Sequence, residues 1–379
     1  MRILHTADWH LGKIVNEFSM LDLQREYLEK LVQKSKELEI DLLIMAGDLY
    51  DRAIPPKEAV SLANKIFTKL TLELEIPVLV IAGNHDSNER LEYGSALLSA
   101  SKLYIEGTTK EKIKKIEIEN THFYMIPYAD HRNIRQLYKD ERIKTPEDAL
   151  KRQLKSIEGD WDSNAVNILL YHGFIINMKS SEELEESDSE RPLSIGTVDF
   201  VPHELVSAFD YVALGHLHKA QKVATDRIRY SGSPLKYSKS EANHRKQNLL
   251  IDISKDHFEL SSIEIPVSKD LRVIRGYFDD VIKSQSNDYL FFELEDKSYV
   301  VDAMNKLRRN YPYTMGLEYI HHKEHEQLDL YHTKEKIKGS SLKELFGDFY
   351  QQNTGMPLNK EQEKAVVDSL ENVMDKEDI

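Results

Sequence analysis

Five short polar motifs hold the residues of this chain that could do chemistry: Asp8-Trp9-His10, Gly47-Asp48-Leu49-Tyr50-Asp51, Gly83-Asn84-His85-Asp86, Tyr171-His172-Gly173 and Gly215-His216-Leu217-His218. Carboxylate, imidazole and side-chain amide form a mixed oxygen and nitrogen donor set. Such a set suits manganese, iron or zinc and lacks the thiolates of a structural zinc site. Two divalent ions about 3.5–4 Å apart, joined by a carboxylate that reaches both, serve in-line displacement at phosphorus. Asp48 is the expected bridge. One metal would take Asp8, His10 and His218, and the other Asn84, His172 and His216. A water whose pKa is lowered towards neutrality would be the nucleophile. His85 adjoins Asn84 but, on a turn, points elsewhere, which leaves it to stabilise the phosphate or protonate the leaving oxygen. Asp86 is expected to hold the His85 ring in its tautomer.

Each motif needs an element to deliver it, and each follows directly on an apolar run: ILHTA, DLLIMA, PVLVIA, NILL and YVAL. These runs are rich in Val, Ile and Leu and too short for independent helices, so they read as buried strands. In a sheet covered on both faces, polar residues at the strand ends share one rim, where ligands bind. A lone Asp-x-His is expected about once by chance in a chain of this length, whereas Gly-Asn-His-Asp arises in of order one in several hundred chains. The ordered set of five is therefore the informative signal.

This set resembles the calcineurin-like metallophosphoesterase superfamily over roughly residues 1 to 265. The resemblance implies an α/β fold: a two-sheet sandwich flanked by helices, with a dinuclear metal site at the strand ends. The flanks RILHTADWHLGK and YSGSPLKYSKSE (Tyr230 to Glu241) are similar, within that superfamily, to the bacterial SbcD nuclease family. Carried over by position, Asp8, His10, Asp48, Asn84, His172, His216 and His218 match the family's metal ligands and His85 its catalytic histidine. Asp51 receives no firm role, because some archaeal members have a histidine there. The resemblance implies a manganese-dependent exonuclease on double-stranded DNA ends and endonuclease on single strands and hairpins. It also implies an SbcC-type SMC-like ATPase partner and a homodimer, hence a heterotetramer. By the same resemblance, residues 1–265 form the nuclease domain, 266–335 a DNA-capping domain and 336–379 C-terminal helices that bind the ATPase. The same metals would also serve a phosphatase or a small-molecule phosphodiesterase, and a silent scaffold of this fold would have lost ligands that are all in place here.

Composition bounds this reading. The 379 residues are 40% hydrophobic and 31% charged, ordinary for a soluble protein with a large core. No stretch approaches about 18 apolar residues and the first strand begins at residue 2, so a cytoplasmic protein with no membrane span is expected. The absence of cysteine removes disulfides and thiolate sites. A net charge of −14 is awkward for a DNA enzyme, since sequence-independent binding comes from Lys and Arg neutralising phosphates. Basic clusters remain at Arg132 to Lys144, Lys219 to Arg229 and Lys236 to Lys246, each read as a solvated face before a DNA contact.

Residues 22–38 and 57–72 have helical spacing, and the resemblance implies that the 58–100 segment forms the dimer. Residues 177–196, acidic and rich in serine, read either as a lid over the DNA approach or as disordered chain. Beyond Pro266 a small α+β alternation is expected, with strands in RVIRGYF, YLFFEL and MGLEYIH and a helix in VVDAMNKLRRN. His321, His322, His325 and His332 lack a carboxylate framework and are not assigned a metal. Leu342, Leu345, Phe346, Phe349 and Tyr350 form an apolar stripe that packs either back on the capping domain or, as the resemblance implies, into a groove of the partner.

Overall fold

The computed structural model describes residues 1–178, 184–190 and 200–320, together with 358, 362 and 366. His321, His322, His325 and His332, and the expected C-terminal stripe, lie outside the described residues.

Two six-stranded sheets carry the fold. The first runs in the order His257–Ile263, Asn248–Ser254, Arg2–Thr6, Leu42–Ala46, Val78–Ile81, Leu103–Glu106. Its last four strands are parallel and the other two pair antiparallel at one edge. The second runs Gln221–Val223, Thr225–Tyr230, Tyr211–Gly215, Val166–His172, Thr121–Ile126, Lys114–Ile118, again four parallel strands with an antiparallel strand at each edge. All five strands expected ahead of the motifs are present, within two residues of the apolar runs.

Alternation along a strand sends successive side chains to opposite faces. Ile3, Leu42, Ile44, Leu79 and Ile81 from one sheet accordingly meet Phe123, Ile168, Leu170 and Ala213 from the other in one buried layer. The opposite face of the first sheet, with Leu4, Leu43, Met45 and Val80, packs under two helices. One is Leu21–Glu37, which buries Leu23, Tyr27, Leu28 and Leu31, and the other is Lys57–Thr68, which buries Leu62, Ala63 and Ile66. The outer face of the second sheet, with Tyr124, Leu169, Val212 and Leu214, packs on Leu150, Ile157 and Phe209. Runs apolar throughout are thus explained by burial on both sides. The protein is a sandwich of two sheets flanked by helices, as the resemblance implies.

Further along the chain, strands Leu271–Gly276, Tyr289–Leu294 and Thr314–Tyr319 form a three-stranded sheet, with the helix Ala303–Asn310 before the last. Two compact units are distinguished. One comprises residues 1–274, 285–292 and 307–316, and the other 275–284, 293–306 and 317–379. No helix among the described residues is long and apolar enough to cross a membrane.

Candidate metal centre

The motifs follow the C-terminal ends of parallel strands in both sheets, so one rim of the sandwich gathers them. Backbone bonds lock the first two loops together: Asp8 N donates to Gly47 O and His10 N to Asp48 O, both at 3.0 Å. The backbone is bent hard here. Asp8, His10, Asp48 and His216 adopt positive φ values of 54°, 45°, 56° and 108°, a region that non-glycine residues rarely enter. Gly47, at φ +95°, is needed for conformation as well as proximity and Gly83 for proximity, since a Cβ on either would run into the side chain of His172 or Asp48 respectively.

The donor atoms converge. His10 Nε2 and His218 Nε2 are 3.0 Å apart, and His172 Nε2 lies 3.0 Å from Asn84 Oδ1. Asp48 Oδ2 stands 3.6 Å from the Nε2 of both His10 and His172 and 4.0 Å from His85 Nε2. Three overlapping triads, Asp8/His10/His218, Asp8/Asp48/His172 and His10/Asp51/His85, each place one donor atom per residue within 4.8 Å of the others. His216 belongs to none of them. Its ring sits 5.7 Å from that of His172, and its backbone N donates to both carboxylate oxygens of Asp8. The structure therefore brings all eight residues of the sequence prediction into one cluster, with His216 at its margin.

Hydrogen bonding fixes which nitrogen is available in two of the rings. A carbonyl oxygen only accepts, so a ring nitrogen facing one must carry the hydrogen and leave the lone pair on the other. His172 Nδ1 faces Ala46 O at 2.9 Å and His85 Nδ1 faces Asp51 O at 2.8 Å. Both rings consequently turn an Nε2 lone pair towards Asp48.

Electrostatics completes the test of whether a cation fits. Burial pushes the imidazoles of His10, His216 and His218 below their ordinary range and that of His172 down to about 4, so they are neutral at pH 7. Burial and the neighbouring Asp48 push the Asp8 carboxyl well up. Buried His10 Nδ1 has no hydrogen-bond partner. Buried carboxylates among neutral imidazoles with converging lone pairs are costly unless positive charge enters, and a divalent cation answers that need. The cluster fits metal binding, and its donors do not single out one metal.

Asp86 requires a correction. Its carboxylate accepts from the backbone N–H of Leu49, Tyr50 and Gly83, at 3.1, 2.9 and 3.0 Å, and so braces the two loops. The Asp51 carbonyl, not Asp86, orients His85. The Asp51 side chain instead pairs with Lys13 at 2.9 Å.

Sequence reasoning missed a group of residues behind His218. Glu241, Lys246, Ser189 and Glu190 all contact it: Glu241 and Ser189 at the ring, Lys246 at the carbonyl oxygen, Glu190 at the backbone N–H. Burial pushes the Glu190 carboxyl up to about 7. The described part of the acidic segment, 184–190, is thus anchored on the Gly215–His218 motif. Glu241 and Lys246 lay in view within and just after the YSGSPLKYSKSE stretch, but no local spacing ties them to a histidine. The basic clusters are largely paired within the protein: Arg132 with Asp130, Arg142 with Asp140, Lys219 with Glu185 and Lys236 with Asp270.

Comparison with known proteins adds two family matches. The calcineurin-like phosphoesterase family matches residues 1–220, and an SbcD C-terminal domain, described as the type 5 capsule protein repressor C-terminal domain, matches residues 267–354. Among solved structures, TT1561 of Thermus thermophilus is similar at 16% identity over 69% of this chain and 98% of that one, with a TM-score of 0.41. YfcE, a phosphoesterase from E. coli, is similar at 12% identity over 70% of this chain and 100% of that one, with a TM-score of 0.29.

Proposed function

This chain belongs to the calcineurin-like phosphoesterase family, and from that premise we propose that it is the nuclease subunit of an SbcCD-type complex, hydrolysing DNA phosphodiester bonds. The observation that carries the reading is the union, on one chain, of a phosphoesterase domain at residues 1–220 and an SbcD C-terminal domain at 267–354. The partner is an SbcC-type SMC-like ATPase. The substrates are double-stranded DNA ends, as an exonuclease, and single strands and hairpins, as an endonuclease, in repair, recombination and replication.

Asp8, His10 and His218 would hold one divalent ion, Asn84, His172 and His216 a second, with Asp48 between them. When bound, two such ions, manganese in this reading, set positive charge against the phosphate oxygens and make water at the site more acidic. The chain's own residues orient and protonate. The buried rim fixes the donors before substrate arrives, so little reorganisation is needed during reaction. His85 keeps one proton at Nδ1 against the Asp51 carbonyl, and its Nε2 is the atom that exchanges a proton at the reacting phosphate. As the phosphorus–oxygen bond to water forms and that to the leaving oxygen breaks, His85, carrying a second proton at Nε2, passes it to the departing oxygen, and the proton released by the attacking water restores that state.

A homodimer is part of the proposal. An open groove of about 570 Å³ lined by Phe67, Leu72, Leu91, Tyr93 and Leu98 lies in the 58–100 region; its Tyr93 is 87% exposed, and Leu97, outside the lining, is 81% exposed. Exposed apolar clusters of this kind mark association surfaces.

The test is cleavage of an end-labelled DNA hairpin in Mn2+ by wild type and His85→Ala, with and without the ATPase and ATP. Cutting that requires Mn2+ and falls about 100-fold or more in the variant is expected. Hydrolysis of a small phosphodiester with no cutting of DNA under any condition would move the protein to the small-molecule phosphodiesterases.

A further inference from the structure

His172 and His85 are backed by backbone carbonyls, whereas His218 is backed by a carboxylate. Its Nδ1 lies 3.1 Å from Glu241 Oε1 and 2.7 Å from Ser189 Oγ, whose hydroxyl donates to that same carboxylate oxygen, and Glu241 is fully buried. That oxygen also accepts from Ser187 Oγ at 3.1 Å, from Ser238 Oγ at 3.3 Å and from Ser189 Oγ. The other oxygen accepts from Lys246 Nζ at 2.6 Å and from Tyr237 N at 3.2 Å. Lys246 is itself tied to His218 O at 2.8 Å and Ser233 Oγ at 2.7 Å. A buried carboxylate is unfavourable unless paired and fully hydrogen-bonded. Here the pairing with Lys246 falls on one oxygen and leaves the other turned to the ring.

We propose that Glu241 is a positioning residue: it accepts the Nδ1–H of His218, sets that ring's tautomer and orientation, and so strengthens Nε2 as a donor towards a divalent cation. Carboxylates behind metal-binding histidines act in this way, fixing the ring and raising its basicity. Lys246 keeps the carboxylate in place, and Ser187 and Ser189 attach the acidic segment to the same oxygen. The inference rests on the two-metal reading of the site.

The test uses the full-length chain and Mn2+ alone. Binding is followed by the electron paramagnetic resonance signal of free Mn2+, alongside nitrogen-15 histidine spectra of the metal-free wild type. Wild type is expected to bind two ions per chain and to show His218 protonated at Nδ1. E241Q is expected to weaken one of the two ions roughly 10- to 100-fold. E241D keeps a charge for Lys246 but draws the carboxylate back from the ring. It is expected to weaken the same ion, and it decides the matter if E241Q does not fold. Wild-type affinity in E241D, or a wild-type His218 protonated at Nε2, would overturn the role of Glu241. A wild type that binds no Mn2+ would overturn the metal reading itself and this inference with it.

Discussion

His172 Nδ1 donates to the carbonyl oxygen of Ala46 across 2.9 Å, and this bond ties the end of a strand in one sheet to the end of a strand in the other. The two halves of the sandwich are thereby clasped at the rim where the donor atoms gather. The same bond that joins the sheets leaves the Nε2 lone pair pointing at Asn84 and Asp48.

Asp48 should be the least replaceable donor. Asn in its place keeps an oxygen for the N–H of His85, which now binds Asp48 Oδ1 at 2.8 Å, so D48N should fold. Loss of the central charge should lower hydrolysis of a chromogenic phosphodiester by more than the about 100-fold that loss of an outer partner costs. Activity within tenfold of wild type would exclude Asp48 as the bridge.

Metal removal should be visible in stability as well as in rate. A ligand that binds only the folded chain adds about 2.7 kcal/mol at 100 times its Kd. Thermal unfolding should therefore shift upward on adding Mn2+ to chelator-treated wild type, and the shift should shrink strongly in D48N. Equal shifts in both would place the ions elsewhere.

His5 offers a pH test outside the proposed donor set. It sits in the layer between the sheets, its Nδ1 2.9 Å from Tyr211 OH, and burial pushes its imidazole down to about 3 from an ordinary 6.5. The unfolded chain binds the proton first. The stability linked to His5 is thus fully present above about pH 6.5 and is lost as pH falls from there towards about 3, at up to about 1.4 kcal/mol per pH unit. Denaturant titrations of wild type and His5→Leu across this range should show a shallower acid slope in the variant. Parallel slopes would refute the assignment.

The apolar groove predicts self-association. Leu97→Asp and Tyr93→Asp place charge on the most exposed positions of the patch, and sedimentation should find these variants monomeric where wild type is a dimer. Their hydrolysis of a small phosphodiester should be unchanged, because neither residue touches the donor cluster. A wild type that sediments as a monomer at micromolar concentration would remove the dimer from the proposal.

Much of the rim was legible in the sequence because parallel strands end where polar residues begin, so Asp8, Asp48, Asn84, His172 and His216 betrayed their convergence. The strand Thr121–Ile126 was not read, since it delivers no motif. Asp86 misled for a local reason: its carboxylate folds back on the N–H of its own turn and of the neighbouring loop, and adjacency in sequence says nothing of that direction. Glu241 and Glu190 escaped because their link to His218 is purely tertiary, made across 23 and 28 residues. The acidic segment reads from its composition as a lid or as disordered chain, and nothing in that composition shows that Ser187 and Glu190 turn inwards.

The left-handed backbone of Asp8, His10, Asp48 and His216 carries a consequence for anyone seeking a hardier form of this protein. Each such residue holds about 1–3 kcal/mol of local strain that the surrounding packing must offset. Screens that reward thermal resistance alone should therefore collect glycine or asparagine at these four places first, and the sturdiest survivors would be those that had surrendered side chains of the proposed metal site.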